Sequence, residues 1–193
     1  MITPTTITNY NRTEEELEEF LMFAILVAGK GAEQQAKKLD AFLNHYLPTN
    51  NRFKGKPFEF IDWLIDWDIL DTTMQEYKLG QYARIGHAFT EILKFKGRLK
   101  NVTIEELESI KGIGSKTARF FILHSRPDAK VAVLDTHILK WLSEKGYKVP
   151  KATPAKKKYA EVECYFLAEA MFHQMTPADL DLTIWKQYAT KAK

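Results

Sequence analysis

Apolar residues recur along the chain at helical spacing, and turn-forming residues break the pattern at short intervals. Thr13 and Glu16 form a capping-box pattern. Behind it Leu17, Phe20, Leu21, Ala24, Ile25 and Ala28 trace one buried stripe that stops near Gly29–Gly31. A second helix is predicted over 32–46, ending before Pro48. The segment 58–70, rich in Trp, Ile and Phe, reads as deeply packed, and 82–95 reads as another helix closed by Gly97. Thr103 and Glu106 repeat the capping box. Leu107 and Ile110 then share a face, and Ala118, Phe121 and Ile122 resume the period after two glycines. Asp135 is a good N-cap for a helix ending near Gly146. Thr153–Pro154 and Thr176–Pro177 each place a capping threonine before a first-position proline. Only 129–134, "AKVAVL", looks like a strand, and one strand makes no sheet. The expected fold class is all-α: a compact, bilobal set of short helices within a single unit over 1–193.

Composition sharpens this reading only a little. At 45% hydrophobic and 27% charged, the 193 residues suit a globular core rather than a disordered chain. The formal charge is +3. Lysines gather at 94–100, at 156–158 and in the tail, while acids gather at 14–19 and 62–71, a distribution able to turn one positive face to a polyanion. The single cysteine, Cys164, excludes an internal disulfide and any four-cysteine zinc or iron–sulfur site. Its apolar-periodic setting predicts a buried, inert thiol. No stretch has the form of a signal peptide or a membrane span, so a soluble, cytoplasmic protein is expected.

The chemistry concentrates in "LESIKGIGSKTARFFILH", Leu107 to His124. A helix ends at Ile110, the chain turns through Lys111-Gly112-Ile113-Gly114, and a new helix opens at Ser115. Glycines there permit positive φ and close backbone approach, and Ile113 between them would anchor the turn to the core. The amides that open the second helix form an anion site suited to a nucleic-acid phosphate, with Gly112, Ile113, Gly114 and Ser115 as the backbone-binding set. An isolated G-x-G is more often an ordinary turn. Lys116 changes that balance. A structural helix would prefer an acid on its first turn, whereas an ammonium there faces the positive end of the dipole, which suits an amine nucleophile. Nineteen residues on, Asp135 sits at a helix start, where a carboxylate can support a developing cation or accept a proton. His137 just beyond is more readily structural than a general base. Phe60, Trp63 and Trp67 recur at helical spacing and are better read as core than as a stacking platform for bases.

"LESIKGIGSKTA…VAVLDTHI" resembles the helix-hairpin-helix DNA glycosylase superfamily, and the likeness runs from about Glu14 to Trp185. "FLMFAILVAGKGAEQQAKKL" is similar to the family's early helix pair, and "LGQYARIGHAFTEILK" to the helix preceding the hairpin, with Ile85-Gly86 where a basic region is usual. The missing cysteine cluster sets aside the iron–sulfur branch, and the short C-terminus looks like the compact archaeal-type 8-oxoguanine glycosylase/AP lyases. The resemblance implies Lys116 as nucleophile and Asp135 as its acidic partner. It implies Trp185 and Lys193 as holders of the flipped base. Gly29 and Lys30 would stand where relatives fill the vacated stack. It further implies no cofactor for the chemistry, with a structural monovalent cation at the carbonyls of Glu108, Ile110 and Ile113. The implied partner is double-stranded DNA carrying a damaged base, bound by a monomer without any membrane. Lys111 replaces a frequent proline, and Thr136 follows Asp135 where the compact branch has Arg or Lys. Excision of another lesion, or a non-catalytic DNA-binding module, therefore stands as the alternative.

Overall fold

The computed structural model describes residues 1–45 and 51–189. Among these are ten α-helices and two three-residue 3₁₀ turns, with no strand. The chain divides into two compact units.

The first unit comprises 1–7 and 11–114. It holds α1 (Glu14–Leu26), α2 (Ala32–Leu43), α3 (Pro57–Asp66), α4 (Leu70–Glu76), α5 (Tyr82–Ile92) and α6 (Ile104–Ser109). α1 is its axis. Every residue from Phe20 to Leu26 is buried, because α2, α3 and α5 all pack against it. Phe42 of α2 meets Phe60 of α3 edge-on at 5.4 Å and also contacts Phe89 of α5, with rings of the size that dominate core energetics. Both predicted capping boxes are present, at Thr13/Glu16 and at Thr103/Glu106. α2 stops at Leu43, short of the predicted end; Tyr46 and Pro48 lie outside the described residues. The predicted packed run 58–70 is α3, a turn with Asp68 at φ 54°, and the first residue of α4. Phe60 is core as expected, but Trp67 is 66% exposed because it caps the C-terminal end of α3. α5 ends at Ile92 rather than Phe95.

The second unit comprises Thr8–Tyr10 and 115–193. It holds α7 (Ser115–Ser125), α8 (Thr136–Glu144), α9 (Lys156–Phe172) and α10 (Pro177–Ala189). Its core joins Leu139 and Leu142 of α8, Val162 and Phe166 of α9, and Leu180 and Ile184 of α10. α8 closes as predicted, with Gly146 at φ 94° and its amide bonded to the Ser143 carbonyl.

The strand-like segment 131–134 is buried but is no strand. Its polar backbone groups are met by side chains. Glu163 accepts from the Ala132 amide (2.8 Å), and the Tyr159 hydroxyl accepts from the Leu134 amide (3.0 Å) and donates to the Ala132 carbonyl (2.8 Å). Thr153 donates to the Leu134 carbonyl at 3.0 Å and so does not cap α9, which starts at Lys156 behind Ala155. Cys164 is exposed, contrary to expectation. Tyr159, Val162, Phe166 and Ala170 take the inward face of α9, and position 164 falls outside that stripe.

Candidate active site

The hairpin is built by a tight turn. The Ile113 amide donates to the Ile110 carbonyl at 3.0 Å, Gly112 sits at φ 100°, and Ile113 is buried as its anchoring role requires. The two glycines have different reasons to be glycine. A Cβ on Gly112 would lie 2.7 Å from the Ala88 Cβ and 3.3 Å from the Arg84 carbonyl oxygen, so this residue is pressed onto α5. A Cβ on Gly114 would meet nothing within 4 Å, leaving its backbone open to an incoming group. Arg84 ties the hairpin further. Its guanidinium donates to the Ile25 carbonyl at the end of α1 (2.9 Å) and, at 3.5 Å, to the Gly112 carbonyl.

Ser115 and Lys116 begin α7, whose first turn carries no acid. Lys116 is half-buried. Asp135 caps α8, its Oδ1 accepting from the amides of His137 and Ile138, both at 2.9 Å. That fixes the carboxylate by two charge-assisted bonds. Lys116 and Asp135 lie in the same unit, and the charges of both reach one buried carboxyl, Asp181 of α10. Burial pushes the Asp181 carboxyl above its ordinary range. His137 is stacked on Tyr188, ring centroids 5.9 Å apart, in keeping with a structural histidine.

A helix-hairpin-helix motif profile matches residues 94–120. The 8-oxoguanine DNA glycosylase/AP lyase of Methanocaldococcus jannaschii is 32% identical over 113 residues, covering 56% of this chain and 54% of that protein. The match thus spans about half the relative's length. The crystal structure of the M. jannaschii 8-oxoguanine glycosylase/lyase with a 15mer DNA containing 8-oxoguanine superposes with a TM-score of 0.70 and 27% identity, covering 95% of this chain and 84% of that one. The 8-oxoguanine DNA glycosylase of Thermotoga maritima gives 0.67 and 26%, covering 94% and 82%.

The chain carries a helix-hairpin-helix motif and is similar in fold to these 8-oxoguanine glycosylases.

Within this fold the other expected site residues fall in several places. Gly29 is exposed at φ 73° with open space around it. Lys30 next to it is folded back, its Nζ donating to the Leu79 carbonyl at 2.6 Å. Burial first, then Arg84 and Lys38, lower its proton affinity. Trp185 is half-buried on α10, one turn beyond Asp181 and so on the same side of that helix. Lys193 lies outside the described residues. The carbonyls of Glu108, Ile110 and Ile113 come from the end of α6 and the turn after it. Such neutral oxygens at a helix C-terminus suit a weakly hydrated monovalent cation. Among the described residues no cluster of three His, Cys, Asp or Glu is placed to bind a metal.

Sequence patterning did not single out His124 or Asp181. The signal was there: "DLDLTIW" sets one acid inside the apolar stripe of α10, and His124 follows four apolar residues of α7. Arg119, one turn past Lys116, was also missed. It donates to Glu163 at 2.9 Å and lies 4.3 Å above the Tyr159 ring, joining α7 to the side chains that hold the segment before Asp135.

Proposed function

We propose that this protein is a base-excision repair enzyme, an 8-oxoguanine DNA glycosylase with AP lyase activity. The observation that carries the reading is the presence, within one unit, of an amine on the first turn of α7 and a carboxylate fixed at the start of α8. The likeness to the archaeal and Thermotoga enzymes supports the lesion.

The damaged nucleotide must leave the duplex stack, at a cost of about a few kcal/mol that is least for a weakened pair. Amides of the hairpin and of Ser115 hold a backbone phosphate, and a monovalent cation at the carbonyls of residues 108, 110 and 113 would reinforce that grip. Lys116 Nζ, as the free amine, attacks C1′ of the sugar. The C1′–N bond breaks, and the base departs with its electron pair and takes up a proton. Asp135 stabilises the cationic sugar and receives the proton lost by the amine. Ring opening gives a Schiff base. Loss of a C2′ proton then expels the 3′ phosphate by β-elimination and nicks the strand. Trp185 and Lys193 would hold the flipped base, and Gly29–Lys30 would face the gap it leaves. We place the enzyme in the cytoplasm as a monomer acting on double-stranded DNA; no described helix is long and apolar enough to cross a membrane.

Borohydride trapping tests this on a duplex with 8-oxoguanine opposite cytosine and on an abasic duplex. Capture on the first, lost in Lys116→Ala, is expected. Capture on the abasic duplex alone would move the assignment to another lesion. No capture on either, with DNA still bound, would favour a non-catalytic module.

A further inference from the structure

Three cations of the first unit converge on the short connection between α4 and α5, residues 77–81. Lys30, just ahead of α2, donates from Nζ to the Leu79 carbonyl at 2.6 Å. Lys38 of α2 donates to the neighbouring Lys78 carbonyl, also at 2.6 Å. Arg84, in the first turn of α5, holds the Gln81 side chain through Nε at 2.7 Å and the Ile25 carbonyl through Nη2 at 2.9 Å. The packing is close: a Cβ on Gly80 would lie 3.0 Å from the Lys30 Nζ.

What these cations lack is an acid. Among the described residues none of the three is ion-paired, whereas Lys56, Lys94 and Lys158 each meet a glutamate three residues away. A carbonyl fixes an ammonium group but leaves its charge whole. A solvated lysine gains nothing from being held still, and ordering so long a side chain costs entropy. Three ordered cations without a counter-charge make a prepared seat for an anion. The start of α5 adds to it. Gln81 is its N-cap, but that side chain bonds Arg84 in place of the helix amides, and the first turn carries no acid.

We propose that Lys30, Lys38 and Arg84 form a second phosphate-binding site, separate from the hairpin amides, that grips the sugar–phosphate backbone of duplex DNA. The inference rests on the reading of this protein as a DNA-repair enzyme and adds to it a contact that carries no sequence or lesion information. The ligand is a run of phosphodiesters rather than a single ion. The anchor points, the Lys78 and Leu79 carbonyls and the Gln81 side chain, follow one another along the chain instead of closing round one point. Arg84 also reaches the Gly112 carbonyl at 3.5 Å, so the same guanidinium joins this seat to the hairpin turn.

The test is the salt dependence of binding to an undamaged duplex and to the same duplex with one 8-oxoguanine. The full chain is compared with Lys30→Gln, Lys38→Gln and the double variant. Lys56→Gln is the control, because it removes one charge from an ion pair elsewhere in the same unit. Each site lysine lost should make the slope of log affinity against log salt shallower by about 0.9, the worth of one phosphate contact, and the double variant by about twice that, on both duplexes alike. Lys56→Gln should leave the slope as it is. Arg84→Lys, which keeps the charge, should keep the slope, while Arg84→Gln reduces it. Binding with slopes unmoved, or moved no more than in Lys56→Gln, overturns this inference and leaves the glycosylase reading standing. A change confined to the lesion duplex overturns it too, since that would put the lysines at the extruded base. No binding of either duplex by the unsubstituted protein overturns both. Should Lys30→Gln fail to fold, the Lys38→Gln slope decides.

Discussion

Gly112 rests directly on Ala88: a Cβ on Gly112 would lie 2.7 Å from the Ala88 Cβ, with the backbone at φ 100°. Gly114, two residues on, has neither constraint. Gly112→Ala should therefore cost about 1–3 kcal/mol of stability, from strained φ and overpacking together. Gly114→Ala should stay within about 0.5 kcal/mol of the parent yet bind duplex DNA more weakly, since its methyl would occupy the space left for a phosphate. Urea denaturation and a DNA titration on both variants separate the two roles. Equal losses of stability would contradict them.

Asp135 does two things that a single substitution cannot distinguish. Asp135→Ala removes the acceptor for the amides of His137 and Ile138 and should cost about 0.5–2 kcal/mol. Asp135→Asn keeps a capping oxygen and should melt close to the parent, while excision slows by about 10²–10⁴-fold, the usual worth of a positioned acid–base group. Thermal melts beside single-turnover rates check this. An Asn variant with full activity would reduce Asp135 to a cap.

Tyr159 holds the backbone that leads into Asp135. Its hydroxyl serves both the Leu134 amide and the Ala132 carbonyl, and burial drives its proton affinity well upward, so it stays a neutral phenol. Tyr159→Phe leaves both backbone groups buried without that partner and should cost about 1–3 kcal/mol. Hydrogen exchange should quicken at Leu134 before it does in α9. An unchanged Leu134 amide would place its protection elsewhere.

For Asp181 the sign follows from the upward shift. Below the ordinary aspartate pKa of about 3.9 the carboxyl is neutral in both folded and unfolded chains and burial costs nothing extra. As pH rises from there through the raised folded value, the unfolded chain ionises first and stability falls. Asp181→Asn escapes that loss. It should melt higher than the parent at pH 8, with the gap closing towards pH 4. A variant melting lower at pH 8 would mean that the carboxylate gains more from its imidazole than it loses by burial.

Much of this was readable from residues alone. Both capping boxes, the stop at Gly146 and the hairpin between Ile110 and Ser115 are local, and local chemistry writes them directly: a threonine three residues before a glutamate, a glycine where φ must be positive. What escaped was tertiary. The run 129–134 looks like a strand, but the amides of Ala132 and Leu134 are satisfied by Glu163 and Tyr159 of a helix some thirty residues on, which no period along the chain can reveal. Trp67 has the right spacing for core and sits outside it because α3 ends one residue earlier. Asp181 and its partner His124 are 57 residues apart in the chain, so no local spacing marks the pair.

The three residues Thr8–Tyr10 belong to the second unit although more than a hundred residues separate them from the rest of it. The Asn9 amide bonds the His124 carbonyl at 3.1 Å, and Thr8 meets the His124 ring. On the ribosome, then, the piece that completes the second unit emerges long before α7 exists. That closure is long-range and entropically slow. It also means that a clean cut at the hairpin would not yield two self-sufficient halves: a fragment starting at Ser115 lacks the hydroxyl that holds its own buried histidine.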